Sequence, residues 1–60
     1  MLSKDKIINI GYRMMEEIEE TNSPRHKEEI FSQLKIIAYI LNEDIPNDMH
    51  IFVTAFRDLL

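Results

Sequence analysis

The sequence predicts an all-α fold, in which a helical hairpin is followed by a third, C-terminal helix. Apolar residues recur at the spacing of an amphipathic helix in three segments of the chain. Two polar stretches, each containing a proline, separate these segments. We therefore expect one small domain over 1–60, with helices over roughly 4–20, 24–42 and 49–59.

The first helix has a good N-cap candidate in Ser3, and Asp5 in its first turn favours the helix dipole. Its predicted inner face is Ile7, Ile8, Gly11, Met14, Met15 and Ile18. Because glycine costs about 1 kcal/mol relative to alanine in a helix interior, Gly11 on this face predicts the close approach of another helix backbone.

The second helix follows the break 21–24, in which Ser23 is the predicted N-cap and Pro24 the first helical residue. Its predicted main inner face is Ile30, Leu34, Ile37 and Leu41, widened by Phe31 and Ala38. Residues 36–41 are all apolar, so this part of the helix has no polar face.

The apolar run 36–41 predicts self-association. A helix that is apolar all round must be covered on several sides, and a chain of 60 residues is too short to do this alone. We expect an oligomer, with a dimer favoured, in which the helices form a larger bundle. The predicted interface residues are Ile10, Tyr12, Ile36, Tyr39 and Ile40. The alternative is that they are scattered surface apolar residues, which are normal.

The third helix follows the break 42–48, which is rich in turn-forming residues, and Asn47 or Asp48 is its predicted cap. A strand is the alternative over 50–54, because this run has high β-propensity. Helix is preferred because the apolar residues do not alternate. The predicted inner face is Met49, Phe52, Val53, Phe56, Leu59 and Leu60.

Charges cluster around the first break. The first helix ends with Glu16, Glu17, Glu19 and Glu20, and the second begins with Arg25, His26 and Lys27. Each set opposes the dipole of its own helix, and an antiparallel hairpin places the two sets side by side. We interpret the pattern as information that sets the register of the hairpin. The alternative is an acidic recognition patch for a basic partner, formed by Glu16, Glu17, Glu19 and Glu20.

Composition and motifs exclude several function classes. The net charge of −4 argues against a nucleic acid or an anionic membrane as the main partner. No segment approaches the roughly 20 apolar residues of a membrane span, and the absence of cysteine fits a cytoplasmic location. The sequence has no catalytic, metal or nucleotide motif, so we expect no enzyme activity, no cofactor and no metal.

The function predicted from these observations is protein–protein interaction. The chain is expected to act as a small regulator, inhibitor or adaptor that self-associates through its central helix. One alternative is an acidic nucleic-acid mimic that occupies a DNA-binding protein. Another is a purely structural subunit of a larger assembly.

Overall fold

Three α-helices and two short connections make up the part of the chain that the structure describes. This computed structural model describes the backbone of residues 3–59 and the side chains of residues 3–57. Helix α1 spans Lys4–Glu20, α2 spans Pro24–Leu41 and α3 spans Asn47–Leu59, with a 3-10 turn over Asn42–Asp44. No strand occurs within residues 3–59. The predicted all-α fold of a hairpin and a third helix is confirmed, and its assembly into a larger bundle stays a prediction.

Both helices of the hairpin begin directly after the capping residues that the sequence predicts, Ser3 and Ser23. The Ser3 hydroxyl accepts a hydrogen bond from the Lys6 backbone N–H at 3.3 Å, and the Ser23 hydroxyl accepts one from His26 at the same distance. Asn42 ends α2 because its φ of 50° is incompatible with a right-handed helix. Local sequence therefore determines both helices of the hairpin.

Helix α3 begins at Asn47, two residues before the predicted start. The backbone N–H of His50 donates to the carbonyl of Pro46 at 3.0 Å, so Pro46 holds the cap position that we predicted for Asn47 or Asp48. The strand alternative over 50–54 is wrong. Burial of one helical face outweighs the β-propensity of this run.

The core lies where the inner faces of the three helices meet. Its buried hydrophobic side chains are Ile18, Ile30, Phe31, Leu34, Leu41 and Met49. Partly buried side chains pack around them, namely Ile7, Ile8, Met14, Met15, Ile37, Ile45, Phe52, Val53 and Phe56. These residues confirm the predicted inner faces. The side chains of Leu59 and Leu60 lie outside the described residues.

Two contacts attach α3 to the hairpin through apolar groups. The rings of Phe31 and Phe56 pack with centroids 4.7 Å apart at a tilt of 44°. A Cβ atom added at Gly11 would lie 2.6 Å from Cε and 3.0 Å from Sδ of Met49. The close neighbour of Gly11 is thus the flexible end of a side chain of α3, and not the helix backbone that we expected.

Candidate protein-interaction surface

Three large apolar side chains project from one region of α2 into solvent. Tyr39 is 87% exposed, and Ile36 and Ile40 are each 60% exposed. Residues three and four positions apart are neighbours on a helix surface, so these side chains form one continuous surface. We call Ile36, Tyr39 and Ile40 the α2 patch. Tyr39 and Ile40, together with Asn42, also line a shallow cleft at the C-terminal end of α2.

The helical repeat explains why the α2 patch is uncovered. Leu34 is 0% exposed and Leu41 is 5% exposed, so their stripe of α2 faces the core. Ile36 follows Leu34 by two residues, which is a rotation of about 200° around an α-helix. Within the described residues, α1 and α3 pack against the core stripe of α2 and leave the opposite face to solvent.

The two other predicted interface residues lie on α1, apart from the α2 patch. Ile10 is partly buried and lines a shallow groove with Lys6, Asn9 and Arg13. Tyr12 is 37% exposed, and its hydroxyl donates a 2.8 Å hydrogen bond to Oδ1 of Asp48 in α3. The structure therefore brings three of the five predicted interface residues together, and an interface role for Ile10 and Tyr12 stays a prediction.

The hydrogen bond to Asp48 changes the acidity of Tyr12. It is the largest of three causes that raise the pKa of the Tyr12 phenol above its ordinary value of 10.0. Partial burial and the negative charge of the Asp48 carboxylate act in the same direction. This pair could not be predicted from the sequence, because its two residues lie 36 positions apart and belong to no periodic pattern.

The predicted juxtaposition of charges at the hairpin turn is realised at one pair between the helices. Nε2 of His26 lies 3.1 Å from Oε1 of Glu17. Nδ1 of His26 lies 3.9 Å from Oε2 of Glu29, which also pairs with Arg25 within α2. The other carboxylates of the predicted acidic patch are exposed and form no ion pair with described side chains: Glu16, Glu19 and Glu20.

These charges do not converge on a point where a cation could sit. The two ring nitrogens of His26 face different carboxylates, so the imidazole bridges Glu17 and Glu29. Among the described residues, no group of three or more histidine, aspartate or glutamate side chains could hold a metal ion. The arrangement is that of a solvent-exposed ion-pair network, whose pairs contribute about 0–1 kcal/mol each.

Among the described residues, one large exposed apolar side chain was not included in the predicted interface. Ile51 of α3 is 58% exposed and lines a shallow groove with His50, Thr54 and Ala55. Its position on the outer side of α3 follows from the same spacing that places Met49 and Phe52 inward, and this spacing could have identified it. It has no large exposed apolar neighbour of its own among the groove residues, so it does not form a second patch like that on α2.

Comparison of the chain with known protein families, with curated proteins and with solved structures finds no match. In addition, no helix of the described part of the chain is both long enough and apolar enough to cross a membrane.

Proposed function

We propose that this protein is a small protein–protein interaction module, a regulator, inhibitor or adaptor, that self-associates through α2 and forms a dimer. The proposal includes a cytoplasmic location and no direct binding of nucleic acid or membrane. The observation that carries it is the α2 patch, in which a tyrosine 87% exposed stands beside two isoleucines each 60% exposed.

Burial of the α2 patch supplies a driving force for association. Removing apolar surface from water contributes about 25 cal/mol per Å², which amounts to roughly 1.5–3 kcal/mol for one fully buried isoleucine. Tyrosine adds a large contact area at low cost in conformational entropy and is enriched in the centres of protein interfaces. An aromatic side chain flanked by two aliphatic ones is therefore a suitable core for a small interface.

The size of the domain supports a second copy as the partner. Among the described residues, six hydrophobic side chains are buried in the core, and domains of this length have marginal stability alone. A partner that binds only the folded state adds stability by mass action. Dimerisation through the α2 patch would thus stabilise the fold as well as cover the apolar surface.

The acidic cluster gives less support to a nucleic-acid mimic. Such a mimic needs carboxylates spaced along one face, as phosphates are spaced along a duplex. Here four glutamates lie in the last turn or so of α1, and Glu17 is already engaged by His26. A structural subunit would use the same α2 patch, so it differs from the proposal in its biological role and not in its surface.

Sedimentation equilibrium of the wild-type chain and of an Ile36→Glu, Ile40→Glu variant tests the proposal. We expect a wild-type mass above the 7.2 kDa of one chain, and a single-chain mass for the variant with its helical circular-dichroism signal retained. Asn9→Glu with Thr54→Glu is the matched control, because it adds the same charge at exposed positions of α1 and α3, away from the patch. This control should remain associated.

Two results would contradict the proposal. One is a wild-type mass that stays at that of a single chain over a wide range of concentration. The other is a patch variant that is folded and as associated as the wild type, which would place the interface elsewhere. If the variant unfolds, wild-type thermal melts at several concentrations decide, because the melting temperature of a dimer coupled to folding rises with concentration.

A further inference from the structure

We propose that the α2 patch binds the same patch of a second copy in antiparallel orientation, with the two-fold axis passing beside Tyr39. This inference rests on the self-association proposed above and specifies its geometry. A two-fold axis makes an interface self-complementary, so each residue on one side of the axis faces a different residue of the second copy. The distribution of charge around Tyr39 fits this arrangement.

Opposite charges lie at equal distances along the chain on the two sides of Tyr39. Lys35 precedes it by four residues within α2, Glu43 follows it by four in the 3-10 turn after α2, and both are exposed. Antiparallel pairing about Tyr39 brings Lys35 of each copy towards the 3-10 turn of the other copy, and this turn carries the exposed Glu43. Parallel pairing in register instead places Lys35 beside Lys35 and Glu43 beside Glu43, and such like-charge contacts oppose association.

Lys35 and Glu43 are both available to pair with a second copy of the chain. The Lys35 ammonium lies 5.7 Å from the centroid of the Phe31 ring, which holds the side chain along α2. At the other end of the patch, Asp44 is already paired with Lys4 at 3.2 Å. Neither Lys35 nor Glu43 forms an ion pair with the side chains that the structure describes.

The polar half of α2 supports the same orientation. Towards its N-terminus the exposed residues are Arg25, Glu28, Glu29, Ser32 and Gln33. A parallel pair in register would align this half with itself and place each charge beside its own copy. An antiparallel pair centred at Tyr39 overlaps the C-terminal parts of α2, where the α2 patch lies. The two tyrosines then meet at the axis, where their rings can stack.

Cysteine cross-linking tests the orientation cleanly, because the chain has no cysteine of its own. A disulfide needs Cα atoms about 4.4–6.8 Å apart, and in an antiparallel pair only a residue at the axis lies this close to its own copy. We expect Tyr39→Cys to form a covalent dimer on mild oxidation, and Ile36→Cys to do so on the order of tenfold more slowly. Equal cross-linking at 36 and 39 would indicate parallel pairing and overturn the inference.

A second measurement leaves Tyr39 in place. Lys35→Cys and Glu43→Cys are prepared separately and oxidised alone or as an equimolar mixture. Antiparallel pairing predicts a mixed disulfide between the two variants and little self-linking of either. Self-linking of each variant without enrichment of the mixed species would overturn the inference.

Charge reversal provides the matching non-covalent test. We expect Lys35→Glu and Glu43→Lys each to weaken association, and the double variant Lys35→Glu, Glu43→Lys to restore it, because the swapped charges face each other again. The failure of the inference is distinct from the failure of the proposed function. A wild-type monomer in sedimentation refutes self-association, whereas a wild-type dimer without the 35–43 mixed disulfide refutes only the antiparallel geometry.

Discussion

The phenol of Tyr12 in α1 donates a 2.8 Å hydrogen bond to Oδ1 of Asp48 in the first turn of α3. The same oxygen accepts the backbone N–H of Met49 at 2.9 Å, and the Met49 side chain lies against Gly11. Two consecutive residues of α3 thus engage two consecutive residues of α1, one through a polar contact and one through an apolar contact. This double contact fixes where α3 begins to pack on the hairpin.

The link between Tyr12 and Asp48 should make the docking of α3 sensitive to alkaline pH. Because the pKa of Tyr12 is raised in the folded state, its hydroxyl keeps its proton to a higher pH there than in the unfolded chain. The contribution of this hydrogen bond to stability is fully present below the pKa of Tyr12 in the unfolded chain, about 10. It is lost as the pH rises through the higher pKa of Tyr12 in the folded protein. We expect Tyr12→Phe to lower the melting temperature at neutral pH, and the difference from wild type to shrink in this alkaline window.

Spectroscopic titration measures the cause directly. A Tyr39→Phe background leaves Tyr12 as the only tyrosine of the two in the chain, so tyrosinate absorbance reports on it alone. Asp48→Ala should lower the titration midpoint of Tyr12. Asp44→Ala is the control, because Asp44 pairs with Lys4 and should leave the midpoint unchanged. An unchanged midpoint in the Asp48 variant would argue against the bond in solution.

Gly11 and Met49 should be energetically coupled. Gly11→Ala gains about 1 kcal/mol of helix propensity, but the new methyl group must displace Met49, whose Cε lies 2.6 Å from the added Cβ position. Met49→Ala alone should cost roughly 2–5 kcal/mol, because the side chain is fully buried. In the Gly11→Ala background, Met49→Ala should cost less than it does alone, by about 0.5 kcal/mol or more. The reason is that removal of the Met49 side chain relieves its clash with the alanine at position 11, whose methyl group fills part of the cavity.

Denaturant unfolding of the two single variants and the double variant gives this coupling energy. Gln33→Ala replaces Gly11→Ala in the control cycle, since position 33 is exposed on α2 and its change should add independently to that of Met49→Ala. Additive effects of Gly11→Ala and Met49→Ala would show that the two residues do not touch in solution.

The fold could be predicted from the sequence because its determinants are local. The spacing of apolar residues and the caps Ser3 and Ser23 act within a few residues, so they give the helices of the hairpin to within about one residue. The contact between Tyr12 and Asp48 could not be predicted in this way. It joins residues 36 positions apart, and a single polar pair across such a distance leaves no periodic signal.

The candidate surface could be predicted only in part, because some of it depends on local spacing and some on distant contacts. The run 36–41 showed that some apolar side chains must stay outside the core, and the helical repeat identified Ile36, Tyr39 and Ile40, which are exposed in the structure. Ile10 and Tyr12 were added to this set from α1 alone. Where they lie depends on how α3 docks, and that docking includes the distant contacts of Gly11 and Tyr12.

Replacement of Glu17 or Glu20, at the end of α1, by glutamine should change the stability of the protein in opposite directions. Glu17 lies 3.1 Å from His26, so Glu17→Gln removes the charge from an exposed hydrogen-bonded pair, at a cost of about 0–1 kcal/mol. Glu20 lies in the last helical turn, where its charge opposes the helix dipole, so Glu20→Gln should gain about 0.3–1 kcal/mol. Thermal melts should therefore place Glu20→Gln above Glu17→Gln. The reverse order would argue against the pairing of Glu17 with His26.

The same residues test whether the acidic cluster contributes to association. Reversal of Glu17 and Glu20 to Lys should leave self-association unchanged, because these residues lie at the hairpin turn and the α2 patch lies towards the other end of α2. Sedimentation of the reversed variant beside the wild type checks this. A loss of association in a folded variant would instead support a recognition patch formed by Glu16, Glu17, Glu19 and Glu20.

Asn42 should be a position where glycine stabilises the protein. It is the one described residue other than glycine with a positive φ, and its φ of 50° and ψ of −116° lie in a region that side chains with a Cβ atom disfavour. Such a conformation costs about 1–3 kcal/mol. It is maintained because the Asn42 N–H donates to Ala38 and its carbonyl accepts from Ile45 at 3.3 Å, which together form the turn from α2 towards α3.

Asn42→Gly should therefore raise the free energy of unfolding by about 1 kcal/mol, after allowance for the greater freedom of glycine in the unfolded chain. Asn42→Val should lower it, because a β-branched side chain tolerates positive φ poorly. Asn9→Gly is the matched control: the same replacement at an exposed site in the middle of α1 should destabilise the protein, because glycine has lower helix propensity than asparagine. Denaturant unfolding of the three variants beside the wild type measures these changes in the free energy of unfolding. If both glycine variants destabilise the protein to a similar extent, the positive φ of Asn42 is not a source of strain, and α2 ends for another reason.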